Sequence, residues 1–250
     1  MATLQNKTIV IVGGSSGIGF AVALASLQSS AKTVIIASSN EARVHDAVAR
    51  LKSHNLPGEV HGDVVDATNS EAVKAFAGRI GTVDHIVWTS GDIPPKSGLN
   101  EFPFSKVETP DEGQAAFTVR FWGPIVLAKH AKFHPGGSLT LTSGTNGLRP
   151  MPGSHLMAGM ITGLDGLTRG LAVDLAPVRV NLISPGLIIT EIMDKLMGEN
   201  KDTVLKAYGE KIPLKRVGEP SEIAEAYLFL MKCGYITGQR IDIEGGILLV

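Results

Sequence analysis

Short β-branched runs alternate with helix-periodic stretches along the whole chain, and this alternation leaves few folds open. TIVIVG (8–13), TVIIAS (33–38), GEVHGDVVD (58–66), DHIVWTSG (84–91), GSLTLTSG (137–144), VRVNLISPG (178–186) and QRIDIEGG (239–246) read as strands. The stretches between them read as helices. Ala42, Val44, Ala47, Val48 and Leu51 recur at helical spacing, and longer helices fit 111–131 and about 154–175. Continuous apolar strands joined by amphipathic helices imply a parallel sheet buried on both faces. The expected fold is α/β, one doubly wound sheet of about seven strands. Its ligand belongs beyond the carboxyl ends of the strands, where strand order reverses. No linker, repeat or low-complexity tract divides the 250 residues, so one domain over 1–250 is expected.

Composition narrows the partners. Lys plus Arg is 23 against 24 for Asp plus Glu, a net charge of −1, which gives no footprint for nucleic acid or an anionic membrane surface. Hydrophobic residues at 44% and charged residues at 19% exclude a disordered chain. The single cysteine, Cys233, excludes an intrachain disulfide framework or a Cys-based zinc site, and no metal is expected. No apolar run approaches the ~18 residues that span a bilayer. The opening MATLQNKTIVIVGG lacks a signal-peptide pattern, so a cytoplasmic protein is expected.

Glycine is 29 of 250, about 12% against a usual ~7%, and its clusters carry the functional signal. IVIVGGSSGIG places Gly13, Gly17 and Gly19, with Ser15, Ser16 and Ile18, between the first strand and the first helix. Gly13 permits a tight exit from the strand. Gly17 lets backbone N–H groups approach a pyrophosphate. The helix beginning near Ile18 directs its positive end at that anion. A turn that only joins strand to helix is the plain alternative.

With this spacing the chain resembles the short-chain dehydrogenase/reductase family, and the resemblance runs from end to end. GDVVD (62–66) matches the segment whose acid, here Asp63 followed by Val64, contacts adenine. WTSG (88–91), with Ser90 and Gly91, stands where the family has Asn-Asn-Ala-Gly. TLTSG (140–144) matches the strand that ends in the catalytic serine. RVNLISPGLIIT (179–190) matches the stretch that holds the nicotinamide amide, here Pro185, Gly186, Ile188 and Thr190. RVGEPSEIAEAYLFLM and YITGQRIDIEGG match the family's C-terminal signature. The resemblance implies a nicotinamide dinucleotide. The second strand ends in Ala37-Ser38-Ser39-Asn40, with no acid until Glu41. An acid there accepts the ribose 2′-hydroxyl of NAD. Hydroxyls, backbone N–H groups and Arg43 can instead receive a 2′-phosphate, so NADP(H) is expected. The same residues also suit a turn and helix cap.

The catalytic positions depart from the pattern. The family uses an Asn, a Ser and a Tyr-x-x-x-Lys pair in which the lysine lowers the tyrosine pKa and the tyrosine moves the proton. Counting forward from TLTSG and back from RVNLISPG leaves SHLMAGM for the pair, with His155 at the Tyr position and Gly159 at the Lys position. Ser143 keeps the serine place, and Arg120, before Gly123-Pro124, takes that of the Asn. None of Tyr208, Tyr227 and Tyr235 falls near the pair. His155 can move a proton near neutral pH, Arg120 can hold an anion but not donate usefully, and Ser143 can orient a carbonyl. Three chemistries stay open: carbonyl or imine reduction with His155 as acid, reduction of a cationic iminium, and a non-redox cyclisation or isomerisation. A non-catalytic NADP-binding role is a further alternative. Arg at the Asn place with the pair lost is also similar to fungal family members that act as reductase and Diels–Alderase.

Other features have plain alternatives. Arg120 interrupts an apolar helix and needs a counter-charge, from Asp92 or from a substrate anion. Asp165 and Arg169 suggest a surface ion pair. Trp88 is a core residue or a wall of the nicotinamide site. Gly159, Gly163, Gly166 and Gly170 recur on one helix face and suggest close approach to the sheet or to a second subunit. A homodimer or homotetramer is expected, since the family commonly pairs through this helix. Residues 188–212, with Met193, Leu196 and Met197, suggest a substrate lid for a small molecule that is bulky and apolar or carries an anionic group.

Overall fold

The computed structural model describes residues 3–91, 108–191, 193 and 200–250. Asp92, Leu196 and Met197 lie outside them, so the expectations placed on those three residues do too. The order is β1 (Thr8–Val12), α1 (Gly17–Gln28), β2 (Thr33–Ser38), α2 (Glu41–Ser53), β3 (Glu59–Val64), α3 (Ser70–Arg79) and β4 (Thr82–Trp88). Then come α4 (Pro110–Phe117), a π-helical turn (Thr118–Trp122), α5 (Gly123–His130), β5 (Lys132–Thr142), α6 (His155–Asp174), β6 (Arg179–Pro185), α7 (Lys201–Lys211), α8 (Pro220–Lys232) and β7 (Arg240–Ile243). All seven strands are parallel, in the order β3-β2-β1-β4-β5-β6-β7. The expected α/β doubly wound sheet is what the chain forms.

Two apolar clusters cover the two sheet faces. Val22, Leu27, Ile223 and Tyr227 pack with Ile9, Ile11 and Ile36 on one side. Phe76, Leu127, Met160 and Leu164 pack with Val10, Ile86 and Leu139 on the other. Each fully buried large side chain contributes roughly 1.5–3 kcal/mol. Trp88, 2% exposed, belongs to the second cluster, and its indole fills the space a Cβ at Gly123 would take. Its core reading holds. The helix expected over 111–131 is broken at the π turn. Pro124 has no N–H, so the Arg120 carbonyl four residues back receives no hydrogen bond from it, and the ladder widens just before the proline.

Two smaller expectations change. Asp165 pairs with Arg240 at 3.1 Å, both largely buried, which ties α6 to β7 instead of forming the surface pair with Arg169. A Cβ on Gly159, Gly166 or Gly170 would meet open space, and one on Gly163 would meet Phe121 at 3.3 Å, so this face does not approach the sheet. Among the described residues no helix is long and apolar enough to cross a membrane.

The amino edge of the sheet carries a buried polar network. Asp84 accepts from Lys7 Nζ at 2.9 Å and the Thr8 N–H at 2.8 Å. His85, 3% exposed, has Nδ1 2.8 Å from Ser138 Oγ. Arg179 donates to the Leu230 and Met231 carbonyls at the end of α8. Burial drives the His85 pKa down to about 4, the charges of Arg179 and Lys7 act the same way, and Asp84 opposes them. The folded state therefore binds fewer protons than the unfolded state between about pH 6.5 and 4, and stability falls as pH falls through that window. The full loss is about 3 kcal/mol, from about 2.5 pKa units at 1.36 kcal/mol each. Urea unfolding at pH 7.5 and 4.5 should show most of it in the native protein and a flatter dependence in His85→Gln. Equal pH dependence in the two would remove His85 as the source.

Candidate functional site

The strand order reverses between β1 and β4, and backbone hydrogen bonds tie the segments beyond both strands there. The Gly13 N–H donates to the Ala37 carbonyl at 2.8 Å, and the Thr89 and Ser90 N–H groups donate to the Val12 carbonyl at 2.8 and 3.0 Å. Gly13 has φ +93 and Gly17 φ +53, conformations that suit glycine. A Cβ at Gly19 would overlap the Gly13 carbonyl oxygen and stand 2.6 Å from Thr89 Oγ1. Gly13 and Gly19 are thus required by close backbone packing, and Gly17 is favoured by its positive φ. Ser15 is buried, and Ser16, at the N-cap of α1, gives no side-chain hydrogen bond to the turn.

The segment after β6 returns to this turn. Ile188 bridges to Gly218, and Gly186 donates to the Ile243 carbonyl at 2.9 Å beyond the end of Pro185. Thr190 Cγ2 lies 3.1 Å from the place of a Cβ on Gly17. The Gly17 N–H donates to Glu191 Oε2 at 2.8 Å. The residues expected around a dinucleotide at 13–19, 90–91 and 185–190 therefore stand together at the carboxyl edge. Glu191 was not foreseen. An acid at a turn expected to receive a phosphate runs against simple electrostatics, and no spacing signals it.

The outer part of the crevice is mixed. Asn40 caps α2, its Oδ1 accepting from the Arg43 N–H at 2.9 Å, while Ser38 is half-buried and Ser39 and Arg43 are exposed. The cap reading of Asn40 therefore holds. Asp63 is engaged by Arg79, at 2.8 Å from Nη2 and 3.3 Å from Nε, and that bond raises the guanidinium pKa. Val64 beside it is 45% exposed, an apolar surface at the strand end.

The proposed reacting groups lie on three elements. Arg120 sits in the π turn, and its guanidinium lies against Gly91, in the space that a Cβ there would occupy. Thr142 Oγ1 donates to the Trp88 carbonyl at 2.7 Å and lies 2.6 Å from the Tyr227 hydroxyl. Tyr227 is fully buried with its hydroxyl held by Thr142, so this phenol braces α8 against β5, and burial pushes its pKa up, partly offset by Thr142 and the Arg120 charge. Ser143 is 5% exposed, and its hydroxyl donates to the Ile161 carbonyl at 3.5 Å. His155 is exposed at the first position of α6, and Gly159 is exposed one turn on. The α6 group beside Ser143 is thus the Ile161 backbone carbonyl, and the Ile161 side chain packs in the core against Gly144 and Gly147. Met157, four residues before it, packs against the same core cluster.

These features define a dinucleotide-binding α/β protein, and the chain belongs to the short-chain dehydrogenase/reductase family. The family model for an SDR-like Rossmann domain matches residues 1–250. The chain is 36% identical to the short-chain dehydrogenase/reductase malC of Malbranchea aurantiaca, over 98% of this chain and 96% of that protein. A solved structure described as the MalC reductase/Diels-Alderase of that organism superposes with a TM-score of 0.89 at 34% identity, covering 99% of this chain and 98% of that one. A small-chain dehydrogenase solved in complex with NADPH superposes with a TM-score of 0.78 at 30% identity, covering 98% of this chain and 100% of the other.

Proposed function

We propose that this protein is an NADPH-dependent reductase of a small organic carbonyl or imine that works without a tyrosine–lysine proton relay. The carrying observation is the Arg120 guanidinium against Gly91, at the strand end beside the crevice. The glycine turn at 13–19 suits a pyrophosphate because it leads straight into the N-terminus of α1, whose first turn carries no acidic residue. Ser38, Ser39, Arg43 and the N-terminus of α2 would receive the 2′-phosphate, and Val64 would pack on adenine. Ser90, Gly91, Pro185, Gly186, Ile188 and Thr190 would hold the nicotinamide half. The NADPH complex of the 30%-identical dehydrogenase supports this assignment.

Bound NADPH would supply the hydride for the reduction. Ser143 would orient the substrate oxygen, and Arg120 would hold the negative charge that develops on it. A preorganised donor at such a charge is worth roughly 10²–10³ in rate. Arg120 cannot release the proton itself. That proton would come from His155 or from water, since His155 stands at the open side of α6. A fixed cation also disfavours a cationic iminium, which makes a neutral carbonyl the better substrate class. The open glycine face of α6 supports a homodimer or homotetramer.

The MalC likeness supports a second reading, a non-redox ring closure in a pocket that keeps the cofactor. The two readings separate when protein and NADPH are mixed with panels of carbonyl and iminium compounds and the reduced-nicotinamide absorbance is followed. Carbonyl turnover that falls roughly 10²-fold in Arg120→Ala is expected. Loss of turnover in His155→Ala would assign it the proton. Turnover with iminium compounds alone would reverse the substrate class. NADPH binding without turnover would favour the second reading, and product analysis would then follow.

A further inference from the structure

We infer that Glu191 is an internal competitor for the dinucleotide, holding the Gly17 N–H that a cofactor phosphate must take. The inference rests on the reading of 13–19 as the pyrophosphate cradle. The first turn of α1 carries no acidic residue, and Ser16 gives it no side-chain cap, so the local sequence leaves the positive end of a twelve-residue helix without an anion. The anion comes instead from 174 positions away, where Glu191 Oε2 accepts from the Gly17 N–H at 2.8 Å. Thr190 lies against the same glycine, which places the backbone of 190–191 on the turn. The segment is anchored at Ile188 by its bridge to Gly218 and by the Ile189 N–H on the Gly218 carbonyl at 2.9 Å. The carboxylate therefore reaches the turn from a fixed base.

A carboxylate and a phosphate cannot share one N–H, and their like charges repel at contact distance. Dinucleotide entry therefore requires the Glu191 side chain to swing away. Thr190, expected at the nicotinamide amide, is its chain neighbour, so exchanging one anion for the other would also release Thr190 toward the cofactor. Glu191 thereby lowers dinucleotide affinity, while its presence keeps the helix end satisfied when the cofactor is absent.

Calorimetric titration of the full chain with NADPH tests this. Glu191→Gln and Glu191→Ala should each tighten binding by roughly 2- to 5-fold, the range for one anion at an exposed helix N-terminus. Inorganic pyrophosphate should show the same direction of change. Circular dichroism checks that both variants are folded, which the exposed position of Glu191 favours. If NADPH binds the native protein and both variants with equal affinity, or binds the variants more weakly, Glu191 supports the turn and does not compete for it. If NADPH binds none of the three, the cofactor reading itself is lost and this inference goes with it.

Discussion

Gly19→Ala should lose NADPH binding by roughly 100-fold or more, a change of about 2.7 kcal/mol or above. The added methyl would overlap the Gly13 carbonyl oxygen and stand 2.6 Å from Thr89 Oγ1. The first of these is backbone, held at the end of β1 by the Gly13 N–H on Ala37. No rotamer change can relieve it, so the turn itself must move. Overpacking of this kind costs roughly 1–3 kcal/mol of stability besides. Gly78→Ala, on α3, supplies the contrast. Its methyl would enter open space on an exposed helix face, so it should stabilise the chain by roughly 0.5–1 kcal/mol through helix propensity. Calorimetry with NADPH and thermal unfolding of both variants measure the difference. Native-like binding by Gly19→Ala would mean that the cofactor does not use this turn.

The sheet was legible because strand burial on both faces leaves a direct trace in composition, and the glycine turn was legible because its spacing follows from steric necessity. The break at Arg120 was foreshadowed only by Pro124, whose missing N–H predicts a disturbed ladder but not a π turn. The pairing of Asp165 with Arg240 joins residues 75 positions apart, and a nearer cation at i+4 concealed it. Glu191 was hidden for the same reason, since contacts across the sheet's carboxyl edge depend on where the β6 segment returns. The placement of His155 depends on the loop between β5 and α6. That loop folds on itself, with Asn146 Oδ1 accepting from the Met151 N–H and from Ser154 Oγ at 3.0 and 3.1 Å. Counting residues across a loop cannot tell how much chain it consumes. It therefore cannot tell which face of α6 meets Ser143.

That ambiguity can be put to a direct test. Met157→Tyr with Ile161→Lys should raise NADPH-dependent carbonyl reduction by roughly 10²-fold, the usual worth of a positioned general acid. The two positions are one helical turn apart. Ile161 is 5% exposed, its carbonyl accepts from Ser143, and its side chain lies 3.8 Å from the place of a Cβ on Gly144. A lysine there enters a largely apolar site and should lower stability by several kcal/mol when unpaired, so unfolding must be measured with and without NADPH. His155→Tyr with Gly159→Lys places the same two side chains on the exposed side of α6 and should give no gain. The two double variants carry the same added groups on the same helix, so composition and net charge cannot explain a difference between them. A gain confined to the 155 and 159 pair would show that those positions face the reacting carbon and that α6 turns on binding cofactor. No gain from either pair, in folded proteins that bind NADPH, would mean that neither helix face presents a proton donor to the reacting centre, and if the native protein also turned over no carbonyl, ring closure would become the better account of the pocket.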